Sequence, residues 1–387
     1  MKVLVITTSY PDFQGSTRGI FIRRLCRELA ALGVDVVVLT PRIFSSSPLF
    51  EEEPGIRVHR FRFPSGDTPL NQRETIPVLP MCVYMLSGLA MALRLVLREK
   101  PDVIHGNWIV PAGLIAAAAG ALTRTPVINT ARGMDVRVSE KGPMKLLFDL
   151  AVKLSDKVTV VSEAMKGRGS LSGAEVISSG VNEAFFRITP DRSSPNVLYT
   201  RSLEKIYDAE TLIRAAPLVL RSVPDALFTI AGSGSRASAL NDLAGSLGVA
   251  RQVRFVGSVR HAAIAELMEN ASVYVSTAVA DGTSIALMEA IAAGLTPVVT
   301  DIEANRALVT HGRDGYLFRP GDERDLADKI VQAMTEGISP QTLDEKRHDL
   351  KDMICWNSIA RRFISIYEGL SPDSGRSRAK DSSTQRR

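Results

Sequence analysis

The sequence predicts an α/β protein made of two doubly wound domains, and three observations lead to that fold class. The chain has 387 residues, a length more readily divided between two hydrophobic cores than filled by one. It opens on strand, loop, helix, strand: Lys2 to Thr8, Ser9 to Gly19, Ile20 to Leu32 and, after Gly33, Val34 to Leu39. The same grammar restarts at Asn196, behind a stretch where Pro190, Asp191, Ser193, Ser194 and Pro195 cluster. The expected division is a first domain over 1–185, a linker at 186–196 and a second domain over 197–354. Residues 355–370 form a last helix, and 371–387 a disordered basic tail with almost nothing apolar to bury.

Each element has a local reason. Lys2 to Thr8 is a nearly continuous apolar run, as in a parallel strand covered on both faces. Ile20 to Leu32 places its apolar residues at helical spacing. Residues 41–75 are polar and turn-rich around Glu51-Glu52-Glu53, with one strand expected from Ile56 to Phe63. Ile76 to Leu93 is 18 residues without a charge, the lower limit for a membrane span. Two prolines at its head and small residues within it favour instead a helix over 76–97 packed in the first domain, one face of which could meet lipid. Pro101 to His105, Pro126 to Thr130 and Val158 to Val161 read as strands, the last followed by a helix capped by Ser162. In the second half, Asn196 to Thr200, Leu227 to Ala231 and Val253 to Val256 read as strands. Leu240 to Leu247, Asp325 to Met334 and Trp356 to Tyr367 read as helices.

Composition removes several classes. Aromatic residues make up 6% of the chain and do not interleave with basic ones, so no nucleic-acid partner is expected. Cys26, Cys82 and Cys355 share no metal-ligand spacing; they read as thiols in a reducing compartment, and no metal site is expected. The start MKVLVITTSY is a strand rather than a signal peptide, which points to the cytoplasm. The first loop holds only Gly15 and Gly19 where a nicotinamide-binding fold wants G-x-G-x-x-G, so a dehydrogenase is disfavoured. The net charge is +5 and uneven: residues 1–185 hold 22 Lys/Arg against 17 Asp/Glu, residues 186–370 hold 20 against 23. A basic first half suits an anionic membrane surface or a phosphate-bearing lipid; a merely solvated basic face reads as well.

The most informative stretch is 271–300, ASVYVSTAVADGTSIALMEAIAAGLTPVVT. Val273 to Val275 is a strand, Asp281-Gly282-Thr283-Ser284 a loop with capping hydroxyls, Ile285 to Ala293 a helix stopped by Gly294, and Pro297-Val298-Val299 the next strand. Such a unit aims free N–H groups and the positive end of a helix dipole at the loop, which suits a phosphate. Asp281 and Glu289 flank that point. A carboxylate repels phosphate, so these two read as acceptors for hydroxyls on either side of it, as on a diphosphate with a sugar at one end and a ribose at the other.

This stretch resembles the retaining glycosyltransferases of the GT-B fold, in particular glycosyltransferase family 4. Their motif runs E-G-F-G-x-x-x-x-E-A-x-A-x-G-x-P-V-V; here it stands as D-G-T-S-I-A-L-M-E-A-I-A-A-G-L-T-P-V-V. The carboxylate spacing and Glu289-Ala290 are kept, while the first Glu is Asp281 and Phe-Gly is Thr283-Ser284. Looser similarities run along the rest of the chain in order. The loop Y-P-D-F-Q-G…R-G-I-F-I-R-R-L is similar to the family's N-terminal cleft loop, with Gly19 as the point of backbone approach, or simply a helix-start glycine. Asp102 to Trp108 resembles D-x-x-H-x-H-W with Asn107 for the second His, and Arg132-Gly133-Met134-Asp135 resembles His-Gly-x-Asp with Arg132 for the His that faces the donor sugar. Arginine cannot serve as a general base; it brings a permanent charge and a donor fork that could clamp an anionic sugar, a donor phosphate or an acidic acceptor. Its bland alternative is a surface arginine at a strand end. Arg201 matches the Arg of G-R-L-x-x-x-K-G, and Lys205 stands one place early for its Lys.

The resemblance implies two Rossmann-like domains facing across a cleft, and transfer of a sugar from a nucleotide diphosphate sugar to an acceptor with retained configuration. The nucleotide sugar is a co-substrate; no cofactor and no metal are implied. Glu289 would hold ribose hydroxyls and Asp281 sugar hydroxyls. Gly19, Gly282, Thr283, Ser284 and the N–H groups of Ile285 and Ala286, with Arg201 and Lys205, would line the donor site, with Arg132 beside the reacting sugar. A basic first domain and the apolar 76–97 segment suggest a glycan or lipid-linked acceptor and peripheral contact with the inner face of the cell membrane. Two other classes stay open at this point: a GT-B-shaped binding or scaffold protein with degenerate chemistry, and a nucleotide-sugar epimerase.

Overall fold

The computed structural model describes residues 1–371 apart from 14, 15, 17, 69–77, 140, 141, 168, 282 and 283; for Arg137, Val138, Ala164 and Ala262 it describes the main chain only. The backbone divides into two compact units, Met1–Ser179 with Trp356–Arg387, and Gly180–Cys355.

Unit 1 is built on eight strands: β1 (Lys2–Thr7), β2 (Asp35–Pro41), β3 (Phe50–Glu53), β4 (Ile56–Phe61), β5 (Val103–Asn107), β6 (Val127–Ala131), β7 (Lys157–Val160) and β8 (Glu175–Val176). They lie in the order β3-β4-β2-β1-β5-β6-β7-β8 and are parallel except for β3 against β4. Its helices are α1 (Ile20–Ala31), α2 (Val78–Glu99), α3 (Leu114–Thr123), α4 (Met134–Val138), α5 (Pro143–Lys153) and α6 (Glu163–Lys166). The alternation of β1 sets the two cores, because successive side chains point to opposite faces. Val3 and Val5 pack with Ile22, Leu25 and Leu29 of α1 and with Trp356, Ile359 and Phe363 of the C-terminal helix, Trp356–Leu370. Leu4 and Ile6 pack with Tyr84, Ala92 and Leu95 of α2 and Ile115 and Ala116 of α3.

Two local expectations need correcting. Glu51-Glu52-Glu53 lies in a strand, not in turns: β3 is an antiparallel edge strand turning back through Pro54-Gly55. Two of its three acids meet arginines of other elements, Glu51 with Arg60 at 2.8 Å and Glu53 with Arg23 and Arg27 at 2.9 and 2.8 Å. Ser162 precedes a helix of only four residues, and its hydroxyl makes no capping bond. Within α2, Tyr84, Gly88, Ala92, Leu95 and Val96 form the buried stripe, at the i, i+4 spacing of one helix face. Among the described residues α2 is the one helix long and apolar enough to cross a membrane by length and composition; here it forms a layer over the sheet. Ile76 and Pro77, at the head of the expected helix, and 372–387 of the expected tail lie outside the described residues.

Unit 2 has six parallel strands, β9 (Asn196–Tyr199), β10 (Leu227–Ala231), β11 (Val253–Gly257), β12 (Val273–Ser276), β13 (Thr296–Thr300) and β14 (Tyr316–Phe318), in the order β11-β10-β9-β12-β13-β14. Around them lie α7 (Ala209–Ser222), α8 (Ala237–Ser246), α9 (His261–Glu269), α10 (Ile285–Ala293), α11 (Glu303–Arg306), α12 (Glu323–Thr335) and α13 (Pro340–Ile354). Residues 186–196 belong to this unit; Arg347 of α13 donates to the carbonyls of Phe186 and Ile188. In α10 every residue from Leu287 to Ala293 is buried, including the charged Glu289.

Both sheets reverse their winding once, between β1 and β5 in unit 1 and between β9 and β12 in unit 2. In open α/β sheets the crevice at the carboxyl ends of the strands flanking such a reversal is where ligands bind.

Candidate active site

In unit 2 the loops after β9 and β12 meet at that reversal. Arg201 leaves β9 and Asp281 leads from β12 towards α10. The Arg201 guanidinium donates to Asp281 Oδ2 at 2.6 Å and to Ser284 Oγ at 2.7 Å, and its carbon lies 4.4 Å from the centre of the Tyr207 ring. Both charged side chains are largely buried, 10% and 14% exposed. Ser284 also does the capping its position suggests: its Oγ accepts the Leu287 N–H at 3.2 Å. The N–H groups of Ile285 and Ala286 open the helix and have no acceptor inside it, by position. The loop after β10, Gly232-Ser233-Gly234, packs against the backbone of Arg201. A Cβ on Gly232 would overlap the Arg201 carbonyl oxygen, so only glycine lets the two loops touch.

One turn further along α10, Glu289 lies 5% exposed and accepts a hydrogen bond from His261 Nε2 at 2.7 Å. His261 heads α9, and the Phe185 ring lies edge-on to it at 5.1 Å. Sequence reasoning missed His261. It is 28 residues from Glu289, and the one available signal was a histidine heading a helix just after the Val253–Gly257 strand.

The structure therefore brings together Arg201, Asp281, Ser284, Ile285 and Ala286, with Glu289 and His261 beside them. Gly282 and Thr283 lie outside the described residues. Lys205 makes no hydrogen bond or ion pair with these residues among those described; it is exposed at the head of a 3₁₀ turn, Lys205–Tyr207, and lines a cavity of about 570 Å³ with Glu204, Asp208, Glu210 and Arg236. Among the described residues, no group of three His, Cys, Asp or Glu is placed to hold a metal ion.

In unit 1 the corresponding reversal gathers the loop after β1, the end of β5 and the end of β6. Gly19 caps α1 at φ 65°, and a Cβ there would overlap the Ser9 carbonyl oxygen; a main-chain contact within the unit is enough to require glycine. Arg132 follows β6. Its Nε and Nη2 donate to Asn107 Oδ1 at 3.2 and 2.7 Å, and its carbon lies 5.2 Å from the Phe21 ring centre. Asp135 does not pair with this guanidinium; its carboxylate is taken up by the N–H groups of Ile109, Arg132 and Gly133 at 2.7, 3.0 and 2.9 Å. Trp108, between Asn107 and Ile109, is held at φ 66°, a conformation side chains rarely adopt. Below them His105 is fully buried, bonded to Tyr367 Oη at 2.6 Å and Thr130 Oγ1 at 2.7 Å. Burial first, and Arg132 second, push its pKa down to about 3.

Comparison with known proteins bears on the family and the fold. The family of glycosyl transferases group 1 matches residues 181–352, and the glycosyl transferase 4-like domain matches residues 19–170. The chain is 24% identical to an uncharacterized glycosyltransferase of Methanocaldococcus jannaschii over 95% of this chain and 98% of that protein. It is 26% identical to a glycogen synthase of Mycobacterium tuberculosis over 95% and 94% of the two chains. Among solved structures, HepE of Anabaena in complex with UDP superposes with a TM-score of 0.71 at 18% identity, covering 95% of this chain and all of that one.

Proposed function

The chain belongs to the group 1 glycosyltransferases of the GT-B fold, and on that premise we propose that it moves a sugar from a nucleotide diphosphate sugar to a glycan or lipid-linked acceptor, with retention at the anomeric carbon. The observation that carries this reading is the Arg201–Asp281–Ser284 cluster, at the reversal of the second sheet and the N-terminus of α10. A diphosphate meets Arg201 and the N–H groups of Ile285 and Ala286, charge-assisted donors set before the leaving group develops its charge. The sugar's hydroxyls take Asp281, and the ribose hydroxyls take Glu289, which His261 orients. The bond from anomeric carbon to diphosphate oxygen breaks as the acceptor oxygen bonds to the same face, and the acceptor's proton passes to the leaving phosphate. Unit 2 is thus the donor side and unit 1 the acceptor side.

A membrane-borne acceptor is supported by unit 1. On α2 Leu86 and Leu97 are 70% and 72% exposed, and Leu146 and Leu150 of α5 also face outward. Arg94, Arg124 and Lys153 are exposed in and beside these helices, and exposed basic residues together with exposed apolar ones suit an anionic lipid surface. On this reading the protein works in the cytoplasm at the inner face of the membrane.

The experiment is a calorimetric titration of the protein with UDP, GDP and ADP. Micromolar binding of one of them, lost in Glu289→Ala, is the expected result. Binding of none, or binding indifferent to Glu289→Ala, would remove the donor-site assignment.

A further inference from the structure

The reversal point of unit 1 holds a guanidinium without an ion-pair partner and a buried amide nitrogen without an acceptor. The Arg132 guanidinium forms no ion pair among the described residues; its side-chain partner is the neutral carbonyl oxygen of Asn107. The amide nitrogen of the same Asn107, on a fully buried residue, has no hydrogen-bond partner. The amide cannot be turned round to relieve this, because the oxygen must face the two guanidinium donors. Leaving a buried donor unmade costs about 1–3 kcal/mol, and a cation set among Phe21, Asn107 and the neutral His105 is costlier to hold than a paired one. Burial pulls the guanidinium down to about 10. The neighbouring Trp108 adds a strained backbone, of a kind that clusters at ligand sites. Asp135, whose charge acts on the guanidinium from a distance, gives its hydrogen bonds to the main-chain N–H groups of Ile109, Arg132 and Gly133.

We propose that Arg132, positioned by Asn107, binds an oxyanion carried by the substrate, a carboxylate or a phosphate, so that this transferase handles an acidic sugar or an acidic acceptor. The proposal rests on the sugar-transfer reading above. The planar fork of arginine matches two oxygens of such a group, and the anion supplies the direct ion pair that no described residue of the unit makes.

The test uses the full-length protein and pairs of probes that differ only in the anion. Methyl β-D-glucuronide is compared with methyl β-D-glucoside, glucose 6-phosphate with glucose, and UDP-glucuronate with UDP-glucose. Binding is read by ligand-observed NMR and calorimetry. In at least one pair the acidic probe is expected to bind tenfold or more tightly, which is about 1.4 kcal/mol. Arg132→Gln should reduce it to the affinity of its neutral partner, while Arg132→Lys keeps part of the preference and UDP binds all three proteins alike. Preference in the UDP-sugar pair places the anion on the transferred sugar; preference in the free-sugar pairs places it on the acceptor. No preference in any pair, or a preference that survives Arg132→Gln, overturns the proposal. An unchanged thermal transition in Arg132→Gln excludes misfolding as the cause of a loss. Failure of UDP itself to bind would strike the donor-site reading instead, and the free-sugar pairs would still judge Arg132.

Discussion

The two reversal points share a topology and differ in charge balance. In unit 2, Arg201 forms an ion pair with Asp281 and hydrogen-bonds Ser284, and Glu289 accepts a hydrogen bond from His261, so the polar groups of the site satisfy one another. In unit 1, Arg132 hydrogen-bonds only a neutral side chain among the described residues, while Asp135 serves main-chain N–H groups. Sites at one topological position are thus prepared in different ways: one holds its groups in place by mutual pairing, the other leaves a charge for the substrate to match.

The largest effect should come from breaking the paired site. Arg201→Ala removes a charge-assisted bond worth about 1.5–3 kcal/mol and leaves Asp281 where the diphosphate binds. Nucleotide affinity should fall by about 100-fold in calorimetry, with transfer falling at least as far. Next comes Gly19→Ala, which forces a Cβ into the Ser9 carbonyl and keeps a positive φ. It should destabilise unit 1 by about 2–4 kcal/mol in urea denaturation.

A third prediction sharpens the contrast through pH. His105 is held neutral, its pKa pulled from 6.5 to about 3 chiefly by burial. The stability it contributes is therefore full above pH 6.5 and is lost as pH falls towards 3, because the unfolded chain takes up the proton first. At pH 4.5 the loss is about 2–3 kcal/mol, and a His105→Gln variant should show a flatter profile over that window. The smallest effect belongs to the outward face of α2 and α5. Leu86→Glu or Leu146→Glu should each weaken co-sedimentation with anionic vesicles several-fold and leave nucleotide binding intact.

Much of this was legible in the sequence, for a physical reason. Strand and helix periods, the Ser284 cap, the Gly294 stop and the Asp281–Glu289 spacing are local, so they can be read within ten or twenty residues. What escaped is set by distant partners. His261 reaches Glu289 across 28 residues. The acidic run of β3 looked like turn because the arginines that neutralise Glu53 lie on α1. The cavity that Lys205 lines with Glu204, Asp208, Glu210 and Arg236 is assembled from separate segments, so no local pattern announces it. The unpartnered Asn107 nitrogen and the twist at Trp108 have no sequence signature.

The return of the chain to unit 1 at Trp356 bears on biosynthesis. Trp356, Ile359, Phe363 and Tyr367 fill the core beside α1, so the part of the protein made first lacks a wall until the last helix leaves the ribosome. Residues 180–355 can close their own core earlier. Vectorial synthesis then completes the second unit before the first, and a nascent chain halted before Trp356 would show α1's apolar face to chaperones.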